Sequence, residues 1–371
     1  MSSPFAGERL RTAREIFGVT QDELRNRAGL SQSLLSQVER GQKPASQELI
    51  SAVADGLGLP LTFFDVIPDD VPLDSLRFRK QKTASAVTTR RAQALFQEGF
   101  RVSRILVERS GYPRAVLPYA TGEVTDEDII ELAAQTRHAL QVALDKPIPH
   151  LMRAVERAGI PVAPIVLPDP EESQLSKNQH FGLSYWGGPN EHAFIGYFPG
   201  HAGDRDRFTL AHELGHLVLH LRRRATDPEH EANLFAGELL MPFDRAQETL
   251  GMGLTLSDYG RIKSVWGVSM QGLIMRAKQL GLITDDRSVS LWKQINARGW
   301  RREEPVTVQP ERPALLAKLR TSVFGDRPLR DLEEELALPR VLLKSFLDPE
   351  PARIEERGDN VIHLGARRNL P

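Results

Sequence analysis

The amino-acid sequence predicts a mainly α fold with a small β-sheet, an α+β protein of more than one domain. Three observations carry that expectation. The first 66 residues alternate short apolar-striped segments with glycine stops, the middle holds the few stretches of strand character, and the run around His212 and most of the chain after Pro242 keep helical periodicity. At 371 residues, length alone suggests two or three domains. The expected divisions are 1–66, a compact helical bundle; 67–125, a linker and long helix; 126–285, a mixed domain; and 286–371, a helical region without identifiable chemistry. Charge is nearly balanced at −1, so bulk charge does not make the whole chain a polyanion binder. The absence of cysteine excludes disulfides and cysteine-based zinc fingers and fits a reducing compartment. The opening residues lack a signal-peptide core and no run approaches a membrane span, so a cytoplasmic protein with no membrane partner is expected.

In the first region, Leu10, Ala13 and Phe17 stripe a helix that stops at Gly18. Thr20-Gln21-Asp22-Glu23 is a capping box that opens a second helix, closed by Gly29. Ser31 starts a third helix with Leu34, Leu35 and Val38 on its buried side, and Gly41 ends it. A fourth helix, Gln47 to Leu57, and the run Leu59 to Phe64 complete the core. Two short helices joined by a tight glycine turn suit a helix-turn-helix, whose second helix can enter a major groove.

Further on, Pro68 to Pro72 reads as a linker and Arg77 to Lys82 as a basic run, solvated or anchoring. Helices are expected over Ala84 to Glu108, Asp126 to Leu144 and Ile148 to Ala158, then a strand over Gly159 to Leu167. Gly182 to Trp186 and His192 to Phe198 form a hairpin across Gly187-Gly188-Pro189-Asn190. The edge of such a sheet can take an extended peptide by strand addition.

The most informative residues follow. His212-Glu213-Leu214-Gly215-His216 lies in a helix-forming run, and residues four apart stack on one face, so two imidazoles can reach one metal ion. Glu213 projects beside that ion, where it can take a proton from an activated water; this is the HExxH pattern, with zinc as cofactor. A third ligand is required. Asp227 caps and Pro242 ends a second helix, roughly 228 to 241, whose acidic candidates are Glu229, Glu231 and Glu238. Glu231 and Glu238 share a face with Phe235, and helical phase does not separate them. His220, one turn beyond His216, can reach the rim of the site or face the helix dipole, while His230, His180, His192, His201, Tyr185 and Tyr197 have no geometric case from sequence.

Arg207 to His216, with Glu231 to Ala236 and Leu239-Leu240-Met241-Pro242, resembles the ImmA/IrrE family of metallopeptidases. The resemblance implies His212, His216 and Glu231 as metal ligands and Glu213 as catalytic base. It also implies a zincin-like endopeptidase whose protein substrate is often a repressor, with self-cleavage open because reader and cutter share one chain. Residues 6–66 are similar to phage-repressor-like (XRE) helix-turn-helix domains through Thr20 to Leu24, Ala28 to Ser33 and Ser36 to Gly41. On the third helix, Gln32, Ser33, Ser36 and Gln37 are polar and off the apolar face, suited to base edges of double-stranded DNA. Gln21, Arg40 and Lys43 would contact phosphates or brace the reading helix, and Arg14 and Glu39 would form an internal ion pair. A homodimer on paired half-sites follows from the same resemblance. The expected function is a transcriptional regulator fused to a zinc endopeptidase; the alternative is a regulator whose metal pocket senses a ligand or peptide without cutting. A second helix-turn-helix-like profile around Trp266-Gly267-Val268-Ser269 is read as structural. At the C-terminal end, helices are expected over Ala314 to Val323 and over Leu329 to Leu347, broken near Pro339.

Overall fold

The computed structural model describes residues 4–29, 31–69, 71, 77–80, 86–166 and 180–348. Residues 349–371 lie outside them. The first bundle holds α1 (Ala6–Phe17), α2 (Gln21–Ala28), α3 (Gln32–Glu39), α4 (Gln47–Leu57) and a 3-10 turn (Leu61–Asp65). Thr20 builds the full capping box on α2, and Gly18 and Gly29 close α1 and α2 in the left-handed conformation that glycine adopts without strain. Ser31 stands at the N-cap of α3 without a capping side-chain bond.

Next come β1 (Arg77–Lys80), α5 (Ala86–Ser110), α6 (Asp126–Ala139), α7 (Leu151–Arg157), β2 (Val162–Pro164), β3 (His180–Trp186) and β4 (Ala193–Tyr197). The four strands form one sheet in the order β1-β3-β4-β2, with β2 parallel to β4 and the other pairs antiparallel. The predicted hairpin is β3–β4, with Asn190 at φ 68° in its turn. Residues 77–80 depart from expectation. The run read as a solvated or anchoring basic stretch supplies a strand, because β3 offers it an open edge whose backbone groups need partners.

The remainder is helical: α8 (Gly203–Leu219), α9 (Pro228–Leu240), α10 (Phe243–Thr249), α11 (Leu256–Trp266), α12 (Met270–Gln279), α13 (Asp285–Ala297), α14 (Leu315–Phe324), a 3-10 turn (Leu329–Leu332), α15 (Glu333–Leu336) and α16 (Arg340–Leu347). Pro339 sits at the N-cap of α16, where the break was expected. The turn between α11 and α12 is structural: a Cβ on Gly267 would lie 2.7 Å from Nε of Arg207, so the glycine admits that guanidinium. Among the described residues, no helix is long and apolar enough to cross a membrane.

Two apolar cores result. One joins α6, α7, α8, α9 and the helices up to α13. The other joins the N-terminal bundle to α5, one face of the sheet, and α14 to α16, so the C-terminal region is packed onto the long helix. At about 1.5 Å per residue, the 25 residues of α5 span about 37 Å and reach both ends of this core. Arg9 of α1 donates to the Phe63 carbonyl at 3.0 Å and pairs with the buried Glu98 of α5. Arg101 completes the cluster, reaching Glu98 at 2.9 Å and the Leu336 carbonyl at 2.8 Å. Burial works against the Glu98 charge, but the two guanidiniums outweigh it and hold its carboxyl below the ordinary range. Half a turn before Glu98 on α5, Phe96 lies 5.1 Å from Phe194 of β4. The bundle is therefore coupled to the sheet through one helix.

A second buried carboxylate ties α7 to the C-terminal helices. Glu156 accepts from the Ala314 and Leu315 amides at 2.9 and 2.8 Å. Burial pushes it up to about 7, against the lowering effect of those amides. A group whose pKa rises on folding binds more protons in the native state, so stability is lost as pH rises from about 4.5 through 7. Glu156→Gln should remove that loss. The variant is expected to unfold at higher denaturant than the parent at pH 8, by on the order of 2 kcal/mol, with the gap closing at pH 5.

Candidate metal centre and DNA-reading helix

The close approach of α8 and α9 has a local cause. A Cβ on Gly215 would lie 3.0 Å from a Phe235 ring carbon and 3.3 Å from the Ala232 backbone. A side chain at Gly215 would therefore press α9 outward, and glycine against Ala232 keeps the helices close. Asp227 caps α9 by accepting from the His230 amide at 3.1 Å, and Pro228 fills the first turn. The N-terminal turn of α9 is thereby set over the histidines of α8.

His212 and His216 bring their Nε2 atoms to 3.0 Å of each other, and both rings are buried. A Glu229 oxygen lies 3.4 Å from His212 Nε2 and its other oxygen 3.4 Å from His216 Nε2. These residues form the one group among those described that could hold a metal ion. Glu231, the expected third ligand, is elsewhere: its carboxylate accepts from His220 Nε2 at 3.0 Å and from Arg223 at 3.0 Å. Two residues turn an α-helix by about 200°, so Glu229 and Glu231 leave α9 on nearly opposite sides. Glu238, the other candidate, pairs with Arg276. Glu229 shares its face with Asn233, whose Oδ1 lies 3.0 Å from His212 Nδ1. Sequence reading kept Glu229 as a candidate beside Glu231 and Glu238 but did not single out Asn233; the signal was the stripe Glu229, Ala232, Asn233, Ala236, with Ala232 against Gly215.

Hydrogen bonds fix the ring protons. The Glu231 carboxylate can only accept, so His220 Nε2 carries hydrogen, and in the neutral ring its Nδ1 keeps a lone pair. That lone pair faces His216 Nδ1 at 2.9 Å, which must then donate, leaving His216 Nε2 bare. Asn233 Oδ1 likewise takes the Nδ1 proton of His212. Two bare nitrogens and a carboxylate converge with no proton among them, an arrangement suited to a cation. The Nε2–Nε2 separation of 3.0 Å is close to the edge of about 3.3 Å of a tetrahedron whose ligands lie about 2.0–2.1 Å from a zinc-sized ion, and each Glu229 oxygen stands 3.4 Å from one of those nitrogens. The residues fit the ion. Burial opposes the Glu231 charge, but Arg223 and His220 outweigh it and hold that carboxyl below the usual range.

Glu213 is fully buried under the sheet. Ser184 of β3 donates to its Oε2 at 2.7 Å, and a Cβ on Gly182 would lie 2.6 Å from its Oε1. The sheet thus orients the glutamate and glycine makes room for it. Of the other histidines, His192 is bonded to Ser103 of α5 at 2.6 Å, and burial pushes it down to about 3, so it locks the hairpin to α5 as a neutral ring. His230 is exposed, and Tyr185 packs edge-on against Phe100 at 5.4 Å.

In the bundle, Arg14 and Glu39 form the expected pair, at 2.8 Å. Gln21 joins them, donating to Glu39 at 2.8 Å, so it braces the helices from inside. Ser33, Arg40 and Lys43 are exposed; Ser36 and Gln37 are partly so; the Gln32 side chain lies outside the described residues.

Fold and site together define a class: a helix-turn-helix reader joined to a metallopeptidase-like domain. Residues 155–278 match a peptidase family described as the IrrE N-terminal-like domain, and residues 6–62 match a helix-turn-helix domain; the chain carries both. No curated protein is a significant match to the chain.

Proposed function

We propose that this chain is a DNA-binding transcriptional regulator whose metallopeptidase-like domain is a zinc endopeptidase, with His212, His216 and Glu229 as ligands and Glu213 as general base. The convergence of three unprotonated donors beside Glu213 carries the reading. Bound zinc supplies Lewis acidity toward a peptide carbonyl and makes water a nucleophile near neutral pH. Glu213 takes the proton of the attacking water and returns it to the leaving amine. Asn233 and the chain Arg223–Glu231–His220 hold the two imidazoles in the ligating tautomer. A repressor-type protein is the substrate class suggested by the family resemblance. Ser33, Ser36, Gln37, Arg40 and Lys43 supply the DNA-facing side of α3 and the turn after it, with two copies on paired half-sites.

Coupling of the reader to the sheet through α5 favours a second reading, in which the metal pocket senses a peptide and shifts DNA binding without cutting it. One preparation tests the first. Zinc-reconstituted protein is expected to hold one equivalent of metal, to hydrolyse an unfolded protein, and to bind duplex DNA with an affinity that falls steeply with salt. Zinc that stays far below one equivalent would sink the endopeptidase reading, and full zinc without hydrolysis would leave the sensor.

A further inference from the structure

The sheet beside Glu213 has two outer edges. β4 occupies the inner side of β3, and the free side of β2 lies at the opposite end of the sheet, two strands from β3. Gly182 and Ser184, which touch Glu213, are both on β3. An extended peptide that adds to this sheet beside the general base must therefore take the outer edge of β3. That edge is filled by the chain itself. Arg77 pairs with Ser184, Phe78 with Leu183 and Lys80 with His180, antiparallel. Between Phe78 and Lys80 the register slips, since two steps along β1 match three along β3. The irregularity falls at Phe181–Gly182, where the backbone meets the Glu213 carboxylate. Glu213 and His212 are both 0% exposed, as in a closed site.

We infer that residues 77–80 are a cis-acting occupant of the substrate track: the chain supplies the strand that a protein substrate would supply, and the peptidase opens when that strand leaves β3. This rests on the endopeptidase reading for its consequence, though strand occupancy itself does not. In sequence the strand lies between the reader bundle and α5, both anchored in one core. A tethered segment of this kind acts at an effective concentration on the order of millimolar, so a substrate in solution competes at a disadvantage until the strand is peeled away. The basic, charged composition of Arg77-Phe78-Arg79-Lys80 suits a strand that is held by backbone pairing and can return to water.

The test is a double variant, Phe78→Pro with Arg79→Pro, because proline cannot donate to the ladder. A second variant, with residues 77–80 replaced by Gly-Ser-Gly-Ser, guards against misfolding of the first. Two readouts are taken on the full-length zinc-reconstituted protein. Amide exchange at Leu183 to Tyr185 is expected to quicken by about tenfold or more. Hydrolysis of an unfolded protein should rise by about 100-fold, and a synthetic peptide of residues 75–82 should suppress it again. Unchanged exchange in both variants would overturn the inference, as would faster exchange with hydrolysis equal to that of an active parent. If neither parent nor variant cuts, the endopeptidase reading has failed. Fluorescence anisotropy of the labelled 75–82 peptide then decides the strand alone: binding to the variants but not the parent supports it, and binding to neither overturns it.

Discussion

Glu213→Gln is expected to keep the metal and lose the chemistry. Glutamine has nearly the same shape, its amide oxygen can still accept from Ser184, and Gly182 still leaves room for it. The three converging donors do not include Glu213, so zinc stoichiometry should be unchanged. The amide cannot take up the proton of the attacking water. Loss of a positioned general base costs about 100- to 10,000-fold in rate, and single-turnover cleavage with zinc content measured in parallel checks it. The same variant separates the two readings of function. If cutting drives regulation, the glutamine protein binds its operator normally and no longer responds. If the pocket is a sensor, promoter control is unchanged while cleavage is absent.

Much of the architecture was legible because local signals agreed. The Thr20 box, the stops at Gly18 and Gly29 and the Leu34-Leu35-Val38 stripe all point to one bundle, and the structure adds their packing onto α5. Asp227, Pro228 and the histidine spacing placed α8 and α9 to within a few residues. Three things were not legible. A helical sequence gives the rotation of its side chains about the axis but not where its neighbour crosses, and that crossing, set at Gly215 against Ala232, decides between Glu229 and Glu231. Arg77-Phe78-Arg79 alternates over too few residues to announce a strand, and the strand exists because β3 offers an open edge far along the chain. The buried cluster Arg9–Glu98–Arg101 is likewise a product of tertiary approach, joining residues that nothing in the sequence relates.

Replacing Glu229 and Glu231 one at a time should give losses of different size and kind. Glu229→Gln removes a charged donor from a set of three and leaves a neutral amide in its place. Zinc affinity, measured by competition with a chromophoric chelator, should fall by well over about 100-fold, beyond the range for groups that only orient ligands. Glu231→Gln leaves all three donors in place. It removes the acceptor that fixes the His220 proton, so the amide can present either a donor or an acceptor, and the order that leaves His216 Nε2 bare is no longer enforced. It also leaves the Arg223 guanidinium without its carboxylate. A loss of about 10- to 100-fold in affinity is expected. Imidazole nitrogen shifts of His220 and His216 should report mixed tautomers in the metal-free Glu231→Gln protein and a single tautomer in Glu229→Gln. If the two losses come in the reverse order, Glu231 reaches the ion when it binds, and α9 must turn by nearly half a revolution to deliver it. That rotation would tear Asn233 from His212 and drive Phe235 and Ala232 out of register with Gly215, which is why the geometry favours Glu229.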